Sequence, residues 1–125
     1  MDVKKKILII DDEQQTQDLM SDVLSSKGYT LYSCVDSKEG LSLAREKMPD
    51  LILLDVMMPE MDGFKVQQLL NEDEKTKKIP VVFITARVAL EDTIQAVTHG
   101  AAGYIEKPFD VKRLLRKIES LLEKA

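Results

Sequence analysis

Five polar residues stand at the ends of short apolar runs. Asp11 and Asp12 follow one run near the amino terminus, and Asp55 follows another. Thr85 ends a further run, and Lys107 follows the last one. Carboxylates bind hard cations, while a hydroxyl and an ammonium donate hydrogen bonds to phosphoryl oxygens. The set therefore predicts phosphoryl chemistry, provided that the fold brings these residues together.

The electrostatics of the carboxylates predicts a bound cation. Three carboxylates that lie close together repel one another, and ionising all of them is costly without a positive partner. The set contains no imidazole or thiolate, so its oxygen ligands favour Mg²⁺, with Mn²⁺ as a substitute, over Zn²⁺. With a metal and a lysine to neutralise the transferring group, one carboxylate can attack phosphorus.

The apolar runs predict five strands. They lie at 7–10, 29–35, 51–54, 81–84 and 103–105. The runs at 7–10, 51–54 and 81–84 are apolar on both faces, which is typical of parallel strands covered on both sides.

Segments with helical spacing separate the runs. Their apolar faces consist of Leu19, Met20, Val23 and Leu24; Leu41, Ala44 and Met48; Phe64, Val66, Leu69 and Leu70; Leu90, Ile94 and Val97; and Val111, Leu114, Leu115, Ile118, Leu121 and Leu122. Asp36 and Asp110 are the predicted N-caps of the second and fifth helices. Gly28 and Gly100 are predicted to end the first and fourth helices, and Pro49 the second.

The alternation of strand and helix predicts the fold. Five βα units form a doubly wound α/β domain, and the flavodoxin-like strand order 2-1-3-4-5 is expected for a sheet of this size. Such folds bind ligands beyond the carboxyl ends of their strands. Strands 1 and 3 are neighbours in this order, with strands 4 and 5 beyond strand 3. The five polar residues should therefore converge on one crevice.

With these residues in place, the chain resembles the receiver domain of two-component response regulators, the CheY-like superfamily. The matching segments are Ile-Ile-Asp-Asp-Glu at 9–13, Leu-Leu-Asp-Val-Met-Met-Pro-Glu-Met-Asp-Gly at 53–63, Val-Phe-Ile-Thr-Ala at 82–86 and Gly-Tyr-Ile-Glu-Lys-Pro-Phe at 103–109. The resemblance extends over essentially the whole chain, in the order and spacing of the family.

The resemblance implies a phosphoacceptor and a metal site. Asp55 matches the residue that receives the phosphoryl group. Asp12 matches the direct metal ligand, and Asp11 matches the acid that binds the metal mainly through water. The main-chain carbonyl of Met57 matches a further metal ligand. Mg²⁺ is the implied cofactor.

The resemblance also implies a switch. Thr85 matches the hydroxyl that moves toward the phosphoryl group, Lys107 the lysine that contacts it, and Tyr104 the aromatic ring that follows. The peptide bond between Lys107 and Pro108 matches one that is cis in the family. Phosphorylation is expected to change the face formed by the fourth helix, fifth strand and fifth helix.

The implied partners follow from this role. A histidine kinase or a histidine phosphotransfer protein donates the phosphoryl group, and an unidentified output partner or effector domain reads the switched face. A phosphorylation-dependent dimer through that face is a further expectation. We expect no direct contact with nucleic acid or membrane, and a self-dephosphorylating switch rather than an enzyme acting on an external substrate.

Four alternatives compete with this interpretation, and the first two remain open at this point. Asp11 and Asp12 could simply cap the first helix, and the acidic pocket could be vestigial in an interaction module. A phosphatase with an aspartyl nucleophile is disfavoured, because Met57 stands where such enzymes carry a general acid. An FMN-binding flavodoxin is also disfavoured, because acidic residues 11–13 would repel the cofactor's phosphate.

Composition is consistent with one domain over residues 1–125. The chain has 44% hydrophobic and 32% charged residues and a net charge of −4, which disfavours general affinity for DNA or anionic membranes. Cys34 is the single cysteine, so no internal disulfide can form. With no apolar leader or membrane-length run in the sequence, we expect a cytoplasmic protein.

Overall fold

The computed structural model describes residues 4–86 and 100–123 as strands that alternate with helices. The strands are β1 (Lys6–Ile10), β2 (Thr30–Cys34), β3 (Leu51–Asp55), β4 (Val81–Thr85) and β5 (Gly103–Glu106). The helices are α1 (Gln14–Ser26), α2 (Ser37–Lys47), α3 (Gly63–Glu72) and α4 (Val111–Glu123). Helix α4 corresponds to the fifth helix of the sequence prediction. The predicted fourth helix, around Leu90, Ile94 and Val97, lies outside the described residues.

The strands form one parallel sheet in the order β2-β1-β3-β4-β5. This confirms the predicted doubly wound, flavodoxin-like α/β fold. Strand β3 is central, with Ile10 paired to Leu54 on one side and Ile84 paired to Asp55 on the other. The register therefore brings the carboxyl ends of β1, β3 and β4 to the same edge of the sheet.

Alternate residues of the inner strands pack into two separate apolar cores, one on each face of the sheet. In β3, Ile52 and Leu54 join the core that contains residues of α2 and α3, while Leu51 and Leu53 join the core under α1 and α4. Every residue of β3 and β4 is buried. The two cores hold the strand ends rigidly, which is the setting that an ordered site requires.

The helix boundaries largely agree with those predicted from the sequence. The Asp36 carboxylate accepts hydrogen bonds from two main-chain N–H groups of α2, and the Asp110 carboxylate does the same for α4. Both predicted N-caps are thus confirmed. Gly28, just beyond α1, has a φ of +87°, a left-handed conformation that favours glycine.

Two details differ from the prediction. Helix α2 ends at Lys47, and Met48 lies beyond it in the left-handed region with a φ of 49°. In α1, Met20 and Leu24 are buried as predicted, but the side chain of Leu19 is 43% exposed. None of the helices in the described part of the chain is long and apolar enough to cross a membrane.

Candidate functional site

Three carboxylates meet at the carboxyl end of the sheet. Asp11 follows β1 directly and Asp55 is the last residue of β3. One carboxylate oxygen from each of Asp11, Asp12 and Asp55 lies within 4.8 Å of the others. Asp11 and Asp55 are buried, whereas Asp12 is exposed. The fold thus gathers two desolvated acids and one that faces solvent.

Lys107 supplies the cation of the cluster. Its main-chain N–H donates to the carbonyl of Thr85, at 2.8 Å, and so fixes the segment after β5 beside the end of β4. Its Nζ lies 2.7 Å from Asp11 Oδ2, 2.5 Å from Glu13 Oε1 and 3.3 Å from Asp55 Oδ2. One ammonium is therefore shared by three carboxylates.

Local backbone geometry sets the position of Asp55. The N–H of Met57 donates to Asp55 Oδ1 at 3.1 Å, which orients the carboxylate. Gly63, the first residue of α3, donates to the carbonyl of Val56 at 2.8 Å. A Cβ atom at Gly63 would lie only 2.4 Å from the carbonyl oxygen of Asp55, so this close approach requires glycine.

Thr85 and Tyr104 occupy the adjoining strands. Thr85 ends β4 and is fully buried. Tyr104 pairs in register with Phe83, and the two ring centroids are 6.4 Å apart. The peptide bond between Lys107 and Pro108 is cis. The structure thus places Thr85 and Lys107 on the same edge as the acids, and Tyr104 on β5 with a half-buried ring.

Met57 lies at the rim of the site. Its side chain is 55% exposed, whereas the next residue, Met58, is buried. The structure gives Met57 a direct role in orienting Asp55 through its N–H. Its predicted role as a carbonyl ligand remains a prediction.

Gln17 is a residue of the site that sequence reasoning missed. It is 5% exposed, and its Nε2 donates to the carbonyl of Asp11 at 3.0 Å and to the carbonyl of Cys34 at 2.8 Å. The amide therefore ties the segment after β1 to the end of β2. The available signal was its spacing, three and seven residues before Met20 and Leu24 on the buried face of α1.

Burial and crowding shift the protonation of the cluster. Burial raises the pKa of Asp11 to about 6, against the lowering effect of Lys107. Burial also raises the pKa of Asp55, although Lys107 and the Met57 N–H favour its ionised form. For Lys107, burial disfavours the charge, but contacts with Asp11 and Glu13 outweigh this and raise its pKa. The acids thus carry more negative charge than one lysine stabilises.

The donor chemistry fits a hard divalent cation. The cluster of Asp11, Asp12 and Asp55 consists of carboxylates alone, the ligand type that Mg²⁺ prefers. A divalent ion would offset the repulsion between these carboxylates, and the exposed side of Asp12 gives it access from solvent.

The alternative reading of Asp11 and Asp12 as caps of the first helix is wrong. The N-cap of α1 is Glu13, which makes no capping hydrogen bond with its side chain. Asp11 Oδ1 accepts instead from the N–H of Glu13, at 2.9 Å, outside the helix. Asp11 therefore holds the segment that leads from β1 into α1, and its other oxygen faces Lys107.

Comparison with known proteins agrees with this geometry. The family model described as "Response regulator receiver domain" matches residues 7–119. The DNA-binding dual master transcriptional regulator RpaA of Synechocystis sp. is 44% identical over 119 residues, which are 95% of this chain and 49% of RpaA. The polar-differentiation response regulator DivK of Brucella ovis is 36% identical over 94% of this chain and 96% of DivK.

A solved structure shows the same fold. The chemotaxis protein CheY4 of Vibrio cholerae superposes with a TM-score of 0.90 at 28% identity, covering 95% of this chain and 99% of CheY4. This chain spans about half the length of RpaA and nearly all of DivK. The chain therefore belongs to the response regulator receiver domain family, the signalling switches of two-component systems.

Proposed function

We propose that residues 1–125 form one receiver domain in which Asp55 accepts a phosphoryl group in a Mg²⁺-dependent reaction. One observation carries the proposal: Asp55 is buried at the end of β3, with two further carboxylates within 4.8 Å and an ammonium 3.3 Å away. A carboxylate in this setting has a nucleophilic oxygen, room for a cation among its neighbours and a positive donor for the incoming group.

The donor in this proposal is the phosphohistidine of a histidine kinase or of a histidine phosphotransfer protein. An oxygen of Asp55 attacks phosphorus, and the P–N bond breaks. Its electron pair remains on the imidazole nitrogen. The product is an acyl phosphate on Asp55. Water later cleaves the new P–O bond and releases inorganic phosphate, so the domain removes its own modification and turns over no external substrate.

Receiver domains bind Mg²⁺ at an acidic pocket, and the residues that would hold it here are Asp11, Asp12, Asp55 and the main-chain carbonyl of Met57. Mn²⁺ has the same preference for oxygen ligands and should substitute. When bound, the ion neutralises charge that develops on the phosphoryl oxygens.

Lys107 and Thr85 stabilise the transferred group through their own donors. The ammonium of Lys107 already lies 3.3 Å from Asp55 Oδ2 and is the positive charge nearest to the acceptor among residues 4–86 and 100–123. Thr85, which carries the hydroxyl, is the last residue of β4, the strand that pairs with β3. Charge-assisted hydrogen bonds to phosphoryl oxygens are among the stronger ones in proteins.

The response passes from Thr85 to Tyr104 in this account. Movement of the hydroxyl toward the phosphoryl group changes the packing beside β5, where the Tyr104 ring is half-buried. The face that includes β5 and α4, with the predicted helix before β5, is the proposed contact surface for an output partner, an effector domain or a second phosphorylated copy. We place the protein in the cytoplasm, without direct contact to nucleic acid or membrane.

Intact mass spectrometry tests the reaction. The protein is incubated with acetyl phosphate and Mg²⁺, beside an Asp55→Asn variant and a sample with EDTA. We expect the wild type to gain one phosphoryl group and the two controls to gain none. A gain of equal size in the Asp55→Asn variant, or no gain in the wild type with either acetyl phosphate or a phosphorylated histidine donor, would overturn the proposal.

A further inference from the structure

Lys107 is bound more closely by Glu13 than by the proposed phosphoacceptor. Its Nζ lies 2.5 Å from Glu13 Oε1 but 3.3 Å from Asp55 Oδ2, with Asp11 Oδ2 at 2.7 Å. Two of these contacts are hydrogen bonds, to Glu13 and Asp55, whereas the contact with Asp11 Oδ2 is an ion pair without hydrogen-bond geometry. Because the shorter of the two hydrogen bonds goes to Glu13, a phosphoryl group on Asp55 has to compete with Glu13 for the ammonium.

Glu13 is placed to hold Lys107 and not to cap its own helix. It is the N-cap residue of α1, yet its side chain makes no capping hydrogen bond. Its N–H donates to Asp11 Oδ1 at 2.9 Å, which fixes its main chain against the acidic cluster. From there the side chain reaches across to the ammonium, while 57% of it stays exposed. Because the Glu13 side chain lies between solvent and Lys107, its bond to the ammonium is the one most easily exchanged.

We propose that Glu13 is a positioning residue that competes with the phosphoryl group for the Lys107 ammonium and thereby slows phosphorylation of Asp55. This inference rests on the proposed function and deepens it. Asp11 is also a predicted metal ligand, so its carboxylate has a second partner once the cation is bound. The Glu13 carboxylate has no such second partner in the described part of the chain, where Lys107 is its one ionic contact.

The expected change in the phosphorylation rate follows from the solvent exposure of Glu13 in its ion pair with Lys107. Ion pairs with an exposed partner are worth a small amount of free energy, so removing the Glu13 contact should raise the phosphorylation rate about two- to fivefold. A carboxylate near the site would also repel an anionic donor. The experiment must separate this general repulsion from the specific hold on Lys107.

Two variants at position 13 make that separation. Glu13→Gln removes both the charge and the strong ion pair. Glu13→Asp keeps the charge but shortens the side chain by one methylene, and aspartate at an N-cap prefers the free N–H groups of its own helix. The control is Glu106→Gln, the same substitution in an exposed residue next to Lys107, since Glu106 is not among the carboxylates within 4 Å of Nζ in the described residues.

The readout is the rate of mass gain with acetyl phosphate and Mg²⁺, with thermal unfolding checked for each variant. The inference predicts a similar acceleration in Glu13→Gln and Glu13→Asp and no change in Glu106→Gln. Acceleration in Glu13→Gln but not in Glu13→Asp, or equal acceleration in Glu106→Gln, would show general repulsion and overturn it. Unchanged rates in both position-13 variants would also overturn it, with the proposed function intact. A wild type that never gains mass would overturn both.

Discussion

Two aspartates bracket the same buried strand, and their surroundings differ. Asp50 lies just before β3 and Asp55 ends it. Asp50 Oδ2 accepts from the N–H of Lys6 at 2.8 Å, and the N–H of Asp50 donates to the carbonyl of Lys6 at 2.8 Å. This reciprocal pair fastens the amino end of β3 to β1. Its carboxylate is bound by a main-chain donor and stands apart from the acidic cluster.

Asp55 also accepts one main-chain hydrogen bond, from Met57. Its second oxygen, however, shares the Lys107 ammonium with Asp11 and Glu13. Carboxylate oxygens of Asp11 and Asp12 also lie within 4.8 Å of the Asp55 carboxylate. The difference between the two ends of β3 separates an aspartate with a structural contact from the one that we propose to be the phosphoacceptor. Burial beside other carboxylates, which share one lysine in the described part of the chain, is a setting that favours a metal ion and a phosphoryl group.

The largest expected effect comes from the same substitution at both ends of the strand. Asp55→Asn should abolish phosphorylation and, without divalent ions at pH 7, raise the free energy of unfolding, because burial raises the pKa of Asp55 and disfavours its ionised form. Asp50→Asn should keep phosphorylation and lower the free energy of unfolding by up to about 1 kcal/mol. Intact mass and urea unfolding measure both. Loss of phosphorylation in Asp50→Asn would contradict a purely structural role for Asp50.

A change at Gly63 should disturb the reactive end alone. The added Cβ of Gly63→Ala would lie 2.4 Å from the Asp55 carbonyl oxygen and 2.8 Å from Val56 Cα, both main-chain atoms that cannot rotate away. We expect a loss of about 1–3 kcal/mol in the free energy of unfolding and slower phosphorylation. Lys65→Ala, at an exposed position of the same helix, serves as the control. Urea unfolding that shows equal stability for the two variants would contradict the close approach.

The raised pKa of Asp11 should make the stability of the acidic cluster depend on pH. Burial raises this pKa from 3.8 to about 6, so between those values the folded state binds more protons than the unfolded state. Its contribution to the free energy of unfolding should therefore fall by about 1–3 kcal/mol as the pH rises from 4 to 7. Mg²⁺ should restore much of the lost free energy of unfolding at pH 7 and have little effect at pH 4.5.

The measurement is urea unfolding of the wild type and Asp11→Asn at the two pH values, with EDTA or Mg²⁺. The difference between the two proteins isolates Asp11 from the other carboxylates. A difference that stays constant with pH in EDTA would contradict the assignment of this shift to burial of Asp11.

The smallest expected effect concerns Cys34, which ends β2 at the same edge of the sheet. Burial, reinforced by the negative charge of Glu39, raises the pKa of the Cys34 thiol to about 12. The folded state should thus bind more protons than the unfolded state between pH 9 and 12, and lose stability over that window. At pH 8 the thiol should react with a disulfide reagent at least about a hundredfold more slowly than in the unfolded chain.

Cys34→Ala should leave the phosphorylation rate within about twofold, since the thiol is a small buried group without a part in the cluster. Rapid labelling of the native protein, or a large change of rate in Cys34→Ala, would show that this strand end takes part in the chemistry.

Sequence patterns predicted the strands within one residue of each end, because apolar runs in a doubly covered parallel sheet leave little choice of register. They also predicted that Asp11, Asp12, Asp55 and Lys107 would meet, since strand order alone brings these strand ends to one edge. The N-caps Asp36 and Asp110 were predictable because their bonds are local.

Long-range polar contacts were beyond such patterns. The bond of Glu13 to Lys107 spans 94 residues and depends on how α1 leaves the sheet. The two bonds of Gln17 require its buried amide to face two carbonyls from different strands. Helical spacing assigned Leu19 to the apolar face of α1, but spacing alone does not define which residues at the edge of such a face are covered, and Leu19 is 43% exposed.

Locating the phosphoryl group on the chain tests the proposed role of Asp55 directly. After phosphorylation with Mg²⁺, borohydride reduction converts an aspartyl phosphate to homoserine, and the tryptic peptide 48–65 carries both Asp50 and Asp55. Fragment spectra assign the change to one of them. We expect homoserine at position 55 with Asp50 unaltered. Homoserine at another aspartate, or phosphorylation on a hydroxyl side chain with Asp55 unmodified, would contradict it.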